Sequence, residues 1–328
     1  MALSPAFIET HISKWENELT KPWYPYRNKW PSRLFHHAPI ENAVELLKDG
    51  NLRSRADPAN ARQRDVAASA VIAARDHAHN FARLYFRPRT PTQWHIEGIR
   101  KQGDFSFGAN SHAPVLTMFV FDARKVLISD GVKFCDRNMQ LGSADPNDSE
   151  TYFSTIPFEK VFHVGNIGGD RTIIEHRCAE VLAESPLPLS KTLQWIYCRT
   201  AAERDTLCDM LGDQAATWSK KIIISDDLLV FERKYVFVEY VGITDAGLIF
   251  ELNPREDSKP VSVKITATDD NGNEVINFTN KEMAAHPSPT SKRWRISAVL
   301  PHGNYRVQIE LEGHLAFRAN VRRGDQLV

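Results

Sequence analysis

The spacing of hydrophobic residues divides the chain into two regions. Up to about residue 231, short apolar runs typical of strands alternate with segments whose apolar residues recur at helical spacing. Beyond that point, about seven short strand-like segments follow one another, separated by turns such as Asp270-Asn271-Gly272-Asn273. The pattern predicts an α+β fold, in which a mixed α/β domain is followed by an all-β immunoglobulin-like sandwich.

The same pattern suggests the domain limits. We expect an N-terminal extension over residues 1–32, a first domain over 33–231 and a β-sandwich accessory domain over 232–328. The extension contains the aromatic segment Trp23-Tyr24-Pro25-Tyr26, which could stack on nucleic-acid bases. Because few basic residues neighbour it in the sequence, we interpret the extension as packing on the first domain.

Several elements of the first domain can be predicted individually. Leu34–His37 reads as a strand, followed by a helix from Ile40 to Leu47 with Gly50 at its C-terminal end. Residues 62–84 are rich in alanine and predict a long helix. Val115–Phe121 is continuously apolar and predicts a strand buried on both faces, and Lys125–Ser129 predicts another short strand.

Composition and charge exclude several classes of protein. The 41 basic and 41 acidic residues balance, so there is no global attraction to nucleic acid or membrane. Residues 51–101 nevertheless hold ten Lys and Arg against four Asp and Glu, which could form an anion-binding face. The four cysteines show no metal-binding spacing, so we expect reduced thiols in a cytoplasmic protein and no bound metal. No apolar run is long enough to predict a membrane span.

Three segments carry candidate chemistry. Glu180 is an acid within an apolar run, and is either a partnered structural charge or a catalytic base. His36 and His37 end a strand just before a helix, where ligand sites are common, although a buried core histidine is the alternative. Arg87 and Arg89 stand on a proline-stiffened loop that suits phosphate recognition, or is an incidental surface turn. No Rossmann or P-loop glycine signature is present.

In their order, these segments resemble the DarT family, toxins that transfer ADP-ribose from NAD to nucleic-acid bases. The resemblance covers about residues 34–231, and a closing segment over 222–231 also resembles the family. The motifs that carry it are Phe35-His36-His37-Ala38-Pro39-Ile40-Glu41-Asn42, Gly50-Asn51-Leu52, Tyr85-Phe86-Arg87-Pro88-Arg89-Thr90-Pro91 and Arg177-Cys178-Ala179-Glu180-Val181-Leu182.

The resemblance implies an ADP-ribosyltransferase-type domain with a split β core and roles for particular residues. Glu180 would be the catalytic glutamate, and Arg75 an arginine that contacts the cofactor and assists catalysis. NAD, as co-substrate, would be contacted by His36, His37, Ala38 and Arg53. Residues 130–180 would include the loop that presents the base. Ala38 stands where the family has a threonine, which removes one hydroxyl contact.

The leading hypothesis is therefore an NAD-dependent transferase acting on single-stranded DNA, a toxin of a toxin–antitoxin or phage-defence system. Its partner would be an antitoxin with ADP-ribose-removing activity, and Arg87 and Arg89 would contact the nucleic acid. Transfer to RNA or to protein is the first alternative. A non-enzymatic binding protein, with the sandwich as its active part, is the second.

Overall fold

The computed structural model describes residues 3–65, 79–101, 112–139, 141, 143–256 and 258–324. Two short 3₁₀ turns, Arg27–Lys29 and Gly212–Gln214, accompany the helices and strands. The elements before residue 200 are α1 (Pro5–Glu18), β1 (Arg33–Pro39), α2 (Ile40–Asp49), β2 (Asn51–Leu52), β3 (Phe81–Tyr85), α3 (Pro91–Ile96), β4 (Leu116–Asp122), α4 (Ala123–Leu127), β5 (Lys133–Cys135), α5 (Glu150–Thr155), α6 (Phe158–Val161), α7 (Thr172–His176), β6 (Glu180–Glu184), β7 (Leu187–Pro188), α8 (Leu189–Thr192) and β8 (Leu193–Tyr197).

The remaining elements are mostly strands. They are α9 (Ala201–Leu211), α10 (Ala215–Trp218), β9 (Ile222–Ile223), β10 (Val238–Thr244), β11 (Gly247–Leu252), β12 (Val261–Thr268), β13 (Glu274–Met283), β14 (Arg293–Ile296), β15 (Asn304–Leu311) and β16 (His314–Arg322).

The chain forms two compact units that interleave along the sequence. The first comprises Met1–His95, Met118–Tyr197 and Ser225–Glu232, and the second Ile96–Thr117, Cys198–Ile224 and Arg233–Val328. The domain limits read from the sequence, 33–231 and 232–328, stay a prediction, since the compact units follow a different division of the chain.

A mixed sheet forms the centre of the first unit. Six of its strands are hydrogen-bonded in the order β5-β6-β3-β1-β4-β8. β4 is buried on both faces, as its unbroken apolar sequence predicts, and only its last residue, Asp122, is partly exposed. Helix α2 buries Ile40, Ala43, Val44 and Leu47 along one face.

The N-terminal segment packs within the first unit. Ile8 and Ile12 of α1 are buried. Trp30 is fully buried, and its indole N–H donates to the carbonyl of Leu228 at 2.9 Å. The last stretch of this unit, 225–232, is therefore tied to its first residues by a buried hydrogen bond.

One helical prediction was confirmed, and another was wrong where the structure describes it. α2 begins at Ile40, and Gly50 ends it in the left-handed conformation with φ 72°. The helix predicted over residues 62–84 is absent from 62–65 and 79–84, and its alanine-rich part, 66–78, lies outside the described residues. Phe81–Tyr85 is instead strand β3, because it pairs with β6.

The strand predicted over Lys125–Ser129 was wrong. Ala123–Leu127 is a helix, because the Asp122 carboxylate accepts from the Arg124 N–H at 3.0 Å and caps it. In the closing segment, Ile222–Ile223 is a strand. The carbonyl of Val230 accepts from the Gln93 side chain at 2.7 Å.

The second unit contains a β-sandwich, as predicted. One sheet has the order β10-β11-β14 and the other the order β13-β12-β15-β16. Buried residues of both sheets, among them Phe250, Ile265 and Phe317, form one hydrophobic core. β14, the fifth strand of the sandwich, joins β10 and β11, while β12, β13, β15 and β16 form the other sheet. This is a Greek-key arrangement of immunoglobulin-like sandwiches.

A buried ion-pair network lies in the second unit. Arg199 is buried, and its guanidinium donates to both Glu203 oxygens, to the Glu97 carboxylate at 3.5 Å and to the Pro114 carbonyl at 2.8 Å.

No helix among the described residues is long and apolar enough to cross a membrane.

We expect Arg199→Ala to destabilise the second unit by about 3–5 kcal/mol, because Glu97 and Glu203 would stay buried without this cation. Urea unfolding, followed by circular dichroism, measures the change. Arg204→Ala is the matched control, since the Arg204–Asp205 pair is half-exposed and contributes at most about 1 kcal/mol. A loss below about 1 kcal/mol for Arg199→Ala would show that the network does not stabilise the unit.

Candidate active site

Glu180 is the first residue of β6 and is completely buried. Its neighbours across the sheet are Tyr85 of β3 and Cys135 of β5. A carboxylate at the centre of three strands loses its hydration, and it is tolerated only if the protein supplies donors for its oxygens.

Two groups supply those donors. The Arg83 guanidinium forms an ion pair and hydrogen bond with Oε1, and the backbone N–H of Met139 donates to Oε2 at 2.9 Å. Tyr85 lies opposite Glu180 in the register of β3 and β6. Arg83 and Tyr85 are two positions apart on β3 and so lie on the same face of the sheet. Burial raises the pKa of Glu180 above its ordinary value, although Arg83 and the hydrogen bonds act in the opposite direction.

Arg83 also connects Glu180 to the rest of the site. Its guanidinium donates to the Asn138 side chain at 3.2 Å, and its backbone carbonyl accepts from His36 Nδ1 at 2.9 Å. The side chain is partly exposed and lines a cavity of about 260 Å³. Arg83 is thus a positioning residue that lies between the cavity and the buried carboxylate.

The cavity collects most of the cofactor-binding candidates. His36, His37, Ala38 and Arg53 all line it. Its charged lining residues are Arg53, Arg55, Arg62, Arg64 and Arg83 against Glu45, Asp49 and Asp65. Four of these arginines already pair with carboxylates: Arg53 with Asp49 and Asp57, Arg55 with Asp65, Arg64 with Glu41 and Arg83 with Glu180. The cavity therefore offers arginine donors to an anionic ligand without a large excess of positive charge.

The two histidines of β1 are neutral at physiological pH. Burial lowers the pKa of His36 to about 4 and that of His37 to about 3. Because Nδ1–H of His36 donates to the Arg83 carbonyl, its Nε2 is a hydrogen-bond acceptor. The His37 ring stacks on Tyr85 with centroids 5.5 Å apart. Uncharged acceptors of this kind suit hydroxyl groups.

Asn42 fixes one wall of the cavity. Its side-chain oxygen accepts from the backbone N–H groups of Gln63 and Arg64 at 2.9 and 2.8 Å, and its amide donates to the Arg64 carbonyl at 2.7 Å. Helix α2 thereby holds the segment that carries Arg62 and Arg64. Arg62 has no carboxylate partner within 4.0 Å among the described residues, which leaves its charge available.

The predicted nucleic-acid contacts need a correction. Arg87 is buried, and its guanidinium donates to the carbonyls of Pro88, Val161 and His163. It supports the loop and is not presented to phosphate at the surface, because it is buried and its Nε and Nη1 donate to the backbone. Arg89 pairs with Glu232 at 3.0 Å and its contact with nucleic acid stays a prediction. Arg75 lies outside the described residues.

The sequence reasoning missed Arg83, Asn42 and Arg62. The signal for Arg83 was present, since alternation along a strand places it on the same face as Tyr85 of the recognised motif. Asn42 was part of a quoted motif without an assigned role. Among the described residues, no cluster of three or more His, Cys, Asp and Glu could hold a metal ion.

The geometry defines a class of site: a buried carboxylate beside an arginine-lined cavity with neutral histidine acceptors. Such a site suits transfer of a glycosyl group from a phosphorylated donor, because a carboxylate offsets positive charge at a sugar carbon and accepts a proton. Arginines bind the phosphates of such a donor.

A protein-family comparison identifies the chain more closely. A family described as "DarT: ssDNA thymidine ADP-ribosyltransferase" matches residues 35–230. Since the match covers more than half of the chain, the chain belongs to the DarT family. It is an NAD-dependent ADP-ribosyltransferase whose substrate is single-stranded DNA.

Solved structures show weaker similarity. A Thermus sp. 2.9 DarT in complex with ADP-ribosylated ssDNA is 17% identical, with a TM-score of 0.49 over 60% of this chain and 96% of that one. The same protein in complex with NAD+ is 17% identical, with a TM-score of 0.47 over 60% of this chain and 97% of that one. Thermosipho africanus DarTG in complex with ADP-ribose is 14% identical, with a TM-score of 0.44 over 60% of this chain and 51% of that one. No curated protein sequence matches.

We expect Asn42→Ala to raise the KM for NAD about tenfold with a smaller effect on kcat, because three hydrogen bonds to the cavity wall are lost. Steady-state transfer to single-stranded DNA measures both constants. Asn277→Ala, an exposed change on β13, is the control. An unchanged KM for Asn42→Ala would show that this wall does not contact NAD.

Proposed function

We propose that this protein transfers ADP-ribose from NAD to thymine in single-stranded DNA, with Glu180 as the catalytic base and His36, His37, Ala38 and Arg53 in the NAD site. The observation that carries the proposal is the buried Glu180 carboxylate, held by Arg83, beside the arginine-lined cavity. The choice of thymine follows the family's description.

The residues fit the cofactor. NAD carries a negatively charged pyrophosphate and ribose hydroxyls. Arginines of the cavity offer donors for the first, and the neutral histidines of β1 offer acceptors for the second. NAD supplies the reactive ribose C1′ when it is bound.

Glu180 has two roles in the reaction. Its negative charge stabilises the positive charge that develops at C1′ as the bond to nicotinamide breaks. As a new bond forms between C1′ and the ring nitrogen of thymine, Glu180 accepts the proton that this nitrogen loses. Nicotinamide leaves with the electron pair of the broken bond. Arg83 keeps Glu180 ionised and oriented between turnovers.

Modification at the ring N–H of thymine blocks its pairing edge, which would stop the copying of the strand. We therefore propose that the protein is a toxin and that an antitoxin with ADP-ribose-removing activity counteracts it. We place it in the cytoplasm, where NAD and replicating DNA are both available. The segment over residues 136–179, which joins β5 to β6 and carries helices α5, α6 and α7, is our candidate for presenting the base.

We expect Glu180→Gln to lower the transfer rate at least about 10³-fold, because the amide has neither the charge nor the basicity of the carboxylate. The measurement is the mass gain of a thymine-containing single-stranded oligonucleotide incubated with NAD. Glu184→Gln, at the exposed end of the same strand, is the matched control. A Glu180→Gln rate within tenfold of the wild-type rate would contradict the role of Glu180 as catalytic base. Transfer to the equivalent RNA alone would show that the substrate is RNA and not DNA.

The pH dependence follows from the raised pKa of Glu180. Protonation removes the base, so kcat should fall as the pH is lowered through this pKa. Arg83 opposes the rise, and Arg83→Gln should therefore shift the acid limb of kcat upward by about one pH unit or more. Arg124→Gln, at an exposed pair with Glu9, should leave the limb in place. If the acid limb of the pH profile of kcat stays in place in Arg83→Gln, a group other than Glu180 controls that limb.

A further inference from the structure

The aromatic segment that precedes the family region has more basic neighbours than the sequence interpretation allowed, and that interpretation was wrong on this point. Residues 19–33 contain Lys21, Arg27, Lys29 and Arg33 and no acid, together with four aromatic residues. These residues lie before the matched range 35–230. Their role is therefore not given by family membership.

Trp23 and Arg27 lie four residues apart in this segment. Trp23 is 68% exposed, more than any other large hydrophobic side chain among the described residues of the first unit. The Arg27 guanidinium lies over the Tyr24 ring, 5.7 Å from its centroid. Arg27 has no carboxylate partner within 4.0 Å among the described residues, and its buried Nε has no hydrogen-bond partner there.

The fold brings further cations to this place. Arg177 donates to the His163 carbonyl at 3.1 Å and to the Gly165 carbonyl at 2.9 Å. The Tyr24 hydroxyl lies against Gly165, only 3.2 Å from where a Cβ would stand. Burial and the neighbouring Arg177, Arg27 and Arg87 lower the pKa of His163, as expected where positive charges are close together.

Little negative charge compensates this cluster. Glu232 pairs with Arg89 and is the carboxylate that acts on Arg87 and Arg177. Asp170, on the same loop as Gly165, pairs with Lys160 at 3.0 Å. Positive charge therefore exceeds negative charge around Tyr24 and Arg27, next to which in the sequence stands the exposed Trp23. A single nucleic-acid strand offers both a phosphate and an unpaired base to such a surface.

We propose that Trp23, Tyr24 and Arg27, with the loop over residues 163–169, form a subsite that binds a flanking nucleotide of the single-stranded DNA substrate. Trp23 stacks on its base and Arg27 contacts its phosphate. Arg177 is three residues before Glu180, a reach of at most about 11 Å of extended chain, so this nucleotide lies close to the modified base. The subsite rests on the proposed function, because its ligand is the strand that is modified.

The test compares Trp23→Ala and Arg27→Ala with the wild-type full chain. Binding of a fluorescein-labelled twenty-nucleotide oligo-dT is measured by anisotropy without NAD, over a range of salt concentrations. We expect each variant to bind about tenfold more weakly. Arg27→Ala should also lower the slope of log K against log salt by about 0.7, the loss of one phosphate contact on a single strand. Trp23→Ala should keep the slope.

Two controls separate the subsite from the catalytic site. Trp195→Ala removes another exposed tryptophan, at 38%, and should bind as wild type does. With a short thymine-containing oligonucleotide that cannot reach the subsite, kcat of both test variants should equal that of wild type. Wild-type affinity and salt slope in both variants, while the wild type modifies DNA, would overturn the subsite alone. Absence of both binding and modification by the wild type would overturn the proposed function with it.

Discussion

The ion pair between Glu180 and Arg83 is the constraint on which the site depends. A fully buried carboxylate is costly unless its oxygens have partners, and these come from β3 and from the chain just after β5. The strand order β5-β6-β3 therefore serves the chemistry as well as the core, because only strands on both sides of β6 can supply them. Glu180 is therefore a base that is shielded from water and already oriented.

The same interaction links the carboxylate to the cavity. Arg83 contacts Glu180 with its side chain and His36 with its backbone carbonyl, so β1, β3 and β6 are fixed in one arrangement. Asn42 then fixes the opposite wall through the backbone of residues 63 and 64. One cavity thus brings several arginines, Arg83 among them, together with the neutral histidines of β1.

Elements with local signals could be predicted from the sequence. The sandwich strands alternate with period two between turns, and α2 carries its own cap, so neither needs distant partners. Motif resemblance brought Glu180 and the β1 histidines together. Arg83 was missed because its role depends on the register that places Tyr85 opposite Glu180, which no local pattern contains. The helix expected over 62–84 was wrong at its C-terminal end for the same reason, since sheet pairing decides the conformation of Phe81–Tyr85.

The interleaving of the two compact units has a consequence for synthesis of the protein. The first unit is completed only by residues 225–232, which provide the Leu228 carbonyl for Trp30 and the Glu232 carboxylate for Arg89. A ribosome has already made Glu180 by then, but a nascent or truncated chain lacks the segment that closes the unit around Trp30. A DNA-modifying enzyme built in this order is therefore completed late in its translation.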